Sequence, residues 1–105
     1  MTGNVNVNVV PSGISVAMIE AMSSIIGSTL KSQYASMGVP EENMTELGML
    51  EFGENRFYGF EVNIYGSVID QFITADGAGN QFTISFTNYD PEEILQFLTT
   101  FSPVQ

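Results

Sequence analysis

The sequence predicts an α+β domain: an antiparallel sheet of about five strands with a long N-terminal helix and a short C-terminal helix, in the order β-α-β-β-β-β-α. Three observations predict it. Several stretches alternate apolar and polar residues with period two, the pattern of a half-buried strand. Two stretches carry apolar residues at spacings of three and four, the pattern of a helix lying on a core. The strand-like stretches of the second half are joined by short turn-forming clusters, which makes successive strands antiparallel neighbours. The chain has 105 residues and fits one domain, 1–105.

The first strand is Asn4 to Val10, in which Asn4, Asn6 and Asn8 alternate with Val5, Val7 and Val9; Pro11-Ser12-Gly13 ends it. The long helix is Ile14 to Met37, with Ser15 as N-cap, Gly38 as C-terminal stop and Pro40 beyond. Its inward stripe is Ile19, Met22, Ile26, Leu30, Tyr34 and Met37, flanked by Ile14, Met18, Ala21 and Ile25, so the helix is expected to be largely buried. Gly27 weakens its middle by about 1 kcal/mol relative to Ala.

After a loop at Glu41-Glu42-Asn43 come strands over Met44–Phe52, Phe57–Tyr65, Val68–Ala75 and Gln81–Thr87. The turns between them are Gly53-Glu54-Asn55-Arg56, Gly66-Ser67 and the hairpin loop Asp76-Gly77-Ala78-Gly79-Asn80. Asp90-Pro91-Glu92-Glu93 starts the short helix: an acidic cap, Pro at the first position, and acids at the positive end of the dipole. Ile94, Phe97, Leu98 and Phe101 form its inward stripe, and Pro103 closes the domain. The alternation predicts one strongly apolar sheet face, led by Phe60, Val62, Ile64, Phe82, Ile84 and Phe86 and covered by both helices. The opposite, mixed face carries Glu61, Asn63, Tyr65, Asp70, Phe72, Thr74, Thr83, Ser85 and Thr87.

Composition narrows the chemistry. Two basic and twelve acidic residues give a net charge of −10, and the only cations are Lys31 and Arg56. Two isolated cations cannot neutralise a phosphate backbone, which argues against nucleic acid and against anionic membrane surfaces. There is no Cys and no His, so no disulfide, no thiolate metal site, and no Ser/His/Asp or Cys/His nucleophile. No apolar run approaches the length of a membrane-spanning helix, and Met1-Thr2-Gly3 does not open a secretory signal.

The remaining motifs have structural explanations. Glu41/Glu42 and Glu92/Glu93 belong to a loop and a helix start. Glu61 and Asp70 share a sheet face, where paired carboxylates could serve glycoside hydrolysis or hold a hard cation, but a solvated face is the favoured explanation. The Asp76–Asn80 loop has too few ligands for calcium, and its glycines do not cradle phosphate. Asn43-Met44-Thr45 matches a glycosylation sequon, a match that chance supplies often. No catalytic residue, metal or cofactor is expected, and the chain is read as a non-enzyme.

Three stretches resemble the PsbP/Mog-like superfamily: Asn4–Val10 running into the helix that ends near Tyr34; Gly59-Phe60-Glu61-Val62 followed by Ile69-Asp70-Gln71-Phe72; and Phe82–Thr87 followed by Asp90-Pro91-Glu92-Glu93-Ile94 and Leu98–Ser102. The likeness is one of element order, with no shared site motif. Members usually carry a further strand before the one at Asn4–Val10, so either an upstream strand is missing from this chain or this is a shortened variant. The unpaired edge would then invite a homodimer. The resemblance implies a non-enzymatic accessory or binding domain from an extracytoplasmic bacterial protein, its signal segment lying outside this chain. Family members include photosystem extrinsic subunits, a Ran-binding protein, lipoproteins and secretion chaperones.

The leading functional expectation is binding of a protein or small ligand on the mixed sheet face, through Glu61, Tyr65, Asp70 and Phe72. Two alternatives stand beside it. One is an acidic chaperone for a secreted protein, using the Met-rich helix. The other is a carboxylate-only hydrolase, using Glu61 and Asp70 in a cleft.

Overall fold

The structure, a computed structural model, describes residues 3–52, 55–76 and 78–101. Five strands form one antiparallel sheet: β1 (Asn4–Pro11), β2 (Met44–Phe52), β3 (Asn55–Ile64), β4 (Ser67–Ala75) and β5 (Asn80–Thr87). Their spatial order is β1-β5-β4-β3-β2, so β2 to β5 make a meander and β1 pairs beside its last strand. The helices are α1 (Val16–Ala21), α2 (Ser23–Ser36) and α3 (Pro91–Thr100), with a 3-10 turn at Glu41–Asn43 before β2. No helix among the described residues is long and apolar enough to cross a membrane.

The expected α+β class and five-stranded antiparallel sheet are present; the single long helix is not. Ile14–Met37 divides at Met22 into α1 and α2, giving three helices. The division falls at Met22, whose φ of −103° and ψ of 12° leave the helical range, just before Ser23-Ser24, residues of weaker helix propensity. Ser15 caps α1 as expected, its hydroxyl accepting from the Met18 N–H at 3.3 Å. The division leaves Ile19 fully buried but Met18, Met22, Ile25 and Met37 exposed, so the wide apolar arc is buried on one side only. Gly53 and Glu54 of the predicted turn, Gly77 of the hairpin loop, Ser102, Pro103, and Met1-Thr2 at the start lie outside the described residues.

The helices also divide between the two faces of the sheet, where one covered face was expected. Register decides this. Phe60 pairs with Gln71 and Gln71 with Ser85, whereas Phe86 pairs with Asp70 and Asp70 with Glu61. The apolar stripe of β3 (Phe60, Val62, Ile64) and that of β5 (Phe82, Ile84, Phe86) therefore point to opposite faces, because directly paired residues share a face and successive ones alternate. On the first face α1 and α2 bury Ile19 against Tyr58, Phe60, Val62 and Ile73. On the second, α3 buries Ile94 and Leu98 against Phe57, Phe72, Ile84 and Phe86.

That second core is a chain of rings. Phe72 meets Phe86 edge-on at 5.9 Å, Phe86 meets Phe97 at 5.3 Å, and Phe101 meets Phe82 at 5.6 Å. Edge-to-face contact of this kind adds to area burial. Both cations fasten helices to the sheet: Lys31 of α2 pairs with Glu46 of β2 at 3.2 Å, and Arg56 of β3 pairs with Glu20 of α1 at 2.7 Å.

Candidate functional site

The four residues expected to share a binding face separate. Glu61 and Asp70 are directly opposite one another on β3 and β4, on the α3 side of the sheet. Phe72 is on the same side, one row along, but is only 4% exposed and sealed beneath α3 among Phe52, Phe57 and Phe86. Tyr65 is on neither face. It sits at the tip of the two-residue β3–β4 turn with φ of 51°, followed by Gly66 at 82°, and is 94% exposed. Two positive φ values are what a tight hairpin turn requires. The expected mixed face is thus corrected: Phe72 is core, Tyr65 is turn, and Thr83, Ser85 and Thr87 lie on the side opposite Glu61 and Asp70.

Asp70 has an unusual proton affinity. Partial burial first, then a hydrogen bond and repulsion from Glu61, push the Asp70 carboxyl up to about 7. Two like charges in directly opposed cross-strand positions repel, which favours the protonated form of Asp70. Glu61 and Asp70 stand directly opposite one another on neighbouring strands, whereas the acids of a glycosidase flank a cleft that admits the sugar. Neither carboxyl lines any of the three cavities described here. No group of three or more acidic residues among those described is placed to hold a metal ion.

Asp76 is the other perturbed acid, and its role is local. Its carboxylate accepts from the Ala78 and Asn80 N–H groups at 2.8 and 2.9 Å and from the Asn80 side chain at 3.0 Å. These bonds hold its pKa below the usual carboxylate range and tie off the hairpin.

A cavity of about 310 Å³ lies at one end of the sheet, lined by Val16, Asn55, Arg56, Thr74 and Phe101 among others. Its polar side chains already have partners. Asn55 donates to the Leu98 and Phe101 carbonyls, Thr74 donates to the Arg56 carbonyl, and the Arg56 guanidinium pairs with Glu20 and Glu51.

A second, more apolar hollow of about 210 Å³ runs along the inner side of α1 and α2, where they stand over β4 and β5. Met22, Ile26, Thr29, Leu30 and Gln33 form its wall, and Ile73 and Gln81 its floor. The contacts of α1 and α2 with the sheet concentrate on β2, β3 and β4, and beyond this wall the sheet face is more exposed. Register defines what the open floor presents: Thr83, Ser85 and Thr87 of β5 pair with Asn8, Asn6 and Asn4 of β1. The three asparagines are exposed and the three hydroxyls half-buried. At the foot of the wall the Tyr34 hydroxyl donates to Gln71 at 3.1 Å, and the Gln71 amide donates to Ser85 at 3.4 Å. Tyr34 is held there by stacking on Phe60, with centroids 6.0 Å apart and planes 6° from parallel.

The floor and wall carry no ionisable side chain except the Tyr34 phenol, whose pKa burial raises. In a chain with twelve acids this is a conspicuous gap in the charge. Amides and hydroxyls can donate and accept in any mixture, and the aliphatic wall can cover an apolar side chain. Sequence reasoning placed Thr83, Ser85 and Thr87 on a polar face but did not join them to the asparagines. The available signal was the matching period: Asn-x-Asn-x-Asn in β1 and Thr-x-Ser-x-Thr in β5, with no charge in either. No protein-family model, curated protein or solved structure matches the chain.

Proposed function

We propose that this is a non-enzymatic binding domain and that its ligand is an extended, uncharged or basic polypeptide segment with apolar side chains, lying in the groove between α2 and the β5–β1 floor. The observation that supports this most is the pairing of an aliphatic wall (Met22, Ile26, Leu30) with an uncharged floor of amides and hydroxyls in a chain of net charge −10. An extended peptide presents N–H and C=O groups at regular intervals, and a row of Asn, Ser, Thr and Gln can answer both. The acidic remainder of the surface repels acidic segments and draws in basic ones. The reading keeps the accessory or binding role that the PsbP/Mog-like resemblance implies, and moves the surface from Glu61, Tyr65, Asp70 and Phe72 to the opposite side of the sheet.

A second reading, the acidic chaperone, is favoured by the apolar outer surface of α1 and α2. Met18 is 47% exposed and Ile25 59%, beside Met22 at the lip of the groove. Methionine is unbranched and polarizable, and it adapts to varied partners. The two readings predict different footprints.

The test is a panel of synthetic peptides, acidic, basic and uncharged-amphipathic, titrated into the labelled protein and followed by amide and methyl NMR shifts. The binding reading expects shifts at Met22, Ile26, Leu30, Thr83 and Ser85 with the uncharged and basic peptides, abolished by Ser85→Arg. Shifts confined to Met18 and Ile25 would favour the chaperone surface. Shifts centred on Glu61 and Tyr65, or cleavage of a peptide, would contradict both.

A further inference from the structure

The two edges of the sheet are built differently. The outer edge at β2 carries Glu46 and Glu51, is interrupted by a bulge between Glu46 and Gly48, and is braced by α2 through the Lys31–Glu46 pair. Charge, bulges and cover are the devices that stop an edge strand from pairing with another chain. Among the described residues the edge at β1 has none of them. Its register against β5 is unbroken from Asn4↔Thr87 to Pro11↔Asn80, it holds no charged residue, and Val7, Val9 and Val10 are 42%, 53% and 51% exposed. Its outward backbone N–H and C=O groups are set at the spacing of a further strand.

We infer that the occupant of this edge is β1 of a second copy of the chain, paired antiparallel about a two-fold axis through Val7. Self-complementarity selects the second copy. An axis at Val7, near the middle of Asn4–Pro11, sets Val7 opposite Val7, Val5 opposite Val9 and Asn6 opposite Asn8, so over these five central residues valine meets valine and amide meets amide, while Asn4 falls opposite Val10 at the ends. Charge selects it too. Each copy carries −10, and β1 is a strand-length segment without any of the twelve acids, where two copies can approach without placing like charges opposite one another. A basic or acidic partner would find no counter-charge on this strand.

The pairing completes the groove. An antiparallel two-fold of this kind stands perpendicular to the sheet and keeps its faces, so both copies hold α1 and α2 on the same side of a ten-stranded sheet. The open floor of one copy, Asn4 to Asn8 with Thr83 to Thr87, continues into that of its partner, and the α2 wall of each copy faces the other across it. The half-groove of one chain becomes a trough with two walls. The trough as a binding site rests on the function proposed above; the dimer does not, and the two fail separately.

The absence of cysteine makes the test clean. Opposed residues at an antiparallel pair lie about 4.5–5.5 Å apart at Cα, within disulfide reach. Single-cysteine variants at residues 5 to 9, oxidised under mild conditions, are expected to give a covalent dimer at Val7→Cys and not at its neighbours. Sedimentation of the native chain is expected to show twice the single-chain mass, reduced to one by Val7→Glu with the circular dichroism of the sheet unchanged. A native chain sedimenting at single mass, a doubled mass that survives Val7→Glu, or cross-linking equally efficient at every position and at a Tyr65→Cys control would each overturn the inference. If Val7→Glu does not fold, the cross-linking pattern decides alone. Loss of peptide shifts with the dimer intact would sink the groove and leave the dimer standing.

Discussion

At the scale of single residues, Gly27 shows how a feature that weakens local structure serves packing. Within an exposed helix, replacing Gly by Ala gains about 1 kcal/mol. Here Gly27 is buried in α2 directly over the Glu46 carboxylate and the Tyr58 hydroxyl, so an added methyl has no space. Those two groups are bonded to each other at 3.0 Å, with Lys31 closing the cluster on the other carboxylate oxygen. Burial and the adjacent Glu46 raise the Tyr58 phenol far above its ordinary value, which keeps it a donor across the physiological range. Gly27→Ala should therefore destabilise the protein by about 1–3 kcal/mol, the usual cost of overpacking, read as a lowered midpoint of urea unfolding. A gain in stability would mean that α2 does not approach β2 and β3 this closely. None of this was legible in the sequence: a glycine at a helix centre reads as a defect until its neighbours across the sheet are known.

Single elements were legible to different degrees, for physical reasons. Strand limits followed from turn chemistry, and β2 was read without error because Asn43 and Gly53 bracket it. The division of α1 from α2 was not, since Ser23-Ser24 shifts helix propensity by only a few tenths of a kcal/mol and tertiary packing decides such cases. The sides of the sheet were misassigned for a further reason. Alternation fixes faces within a strand but not between strands, and changing the pairing by one residue exchanges them. The start of α3 was plain from Asp90-Pro91, and the Asp90 carboxylate accepts from the Glu92 N–H at 3.0 Å. Its far end is held from outside the helix, by the Asn55 amide on the Leu98 and Phe101 carbonyls at 2.9 and 2.7 Å. Asn55→Ala leaves those carbonyls without this partner. It should cost about 1–3 kcal/mol and raise amide exchange in the last turn of α3 while sparing α2. Equal exchange in both helices would refute that anchoring.

For the whole molecule the two perturbed acids set opposite limits on stability. The folded state raises the Asp70 pKa from 3.8 to about 7, so between these values it holds a proton that the unfolded chain releases. Stability therefore falls as pH rises through this window and levels off above it. The Asp76 pKa is lowered, so its contribution is present above 3.8 and is lost as pH falls through its folded-state value. The melting temperature should peak near pH 3.8, where the folded-state Asp76 carboxylate is ionised and Asp70 has only begun to lose its advantage. Asp70→Asn should remove the decline above the maximum, gaining about 1 kcal/mol near neutral pH, while an unchanged profile would show that Asp70 does not hold an extra proton in the folded state. The proposed site depends on a simpler arrangement: adjacent residues of β5 face in opposite directions, hydroxyls into an open groove and apolar side chains beneath α3. The most direct measurement is the rate of thiol labelling of Thr83→Cys, Ser85→Cys and Ile84→Cys in the native protein. Residues 83 and 85 should react readily and residue 84 only on unfolding; labelling of 84 as fast as its neighbours, or protection of all three, would contradict the account.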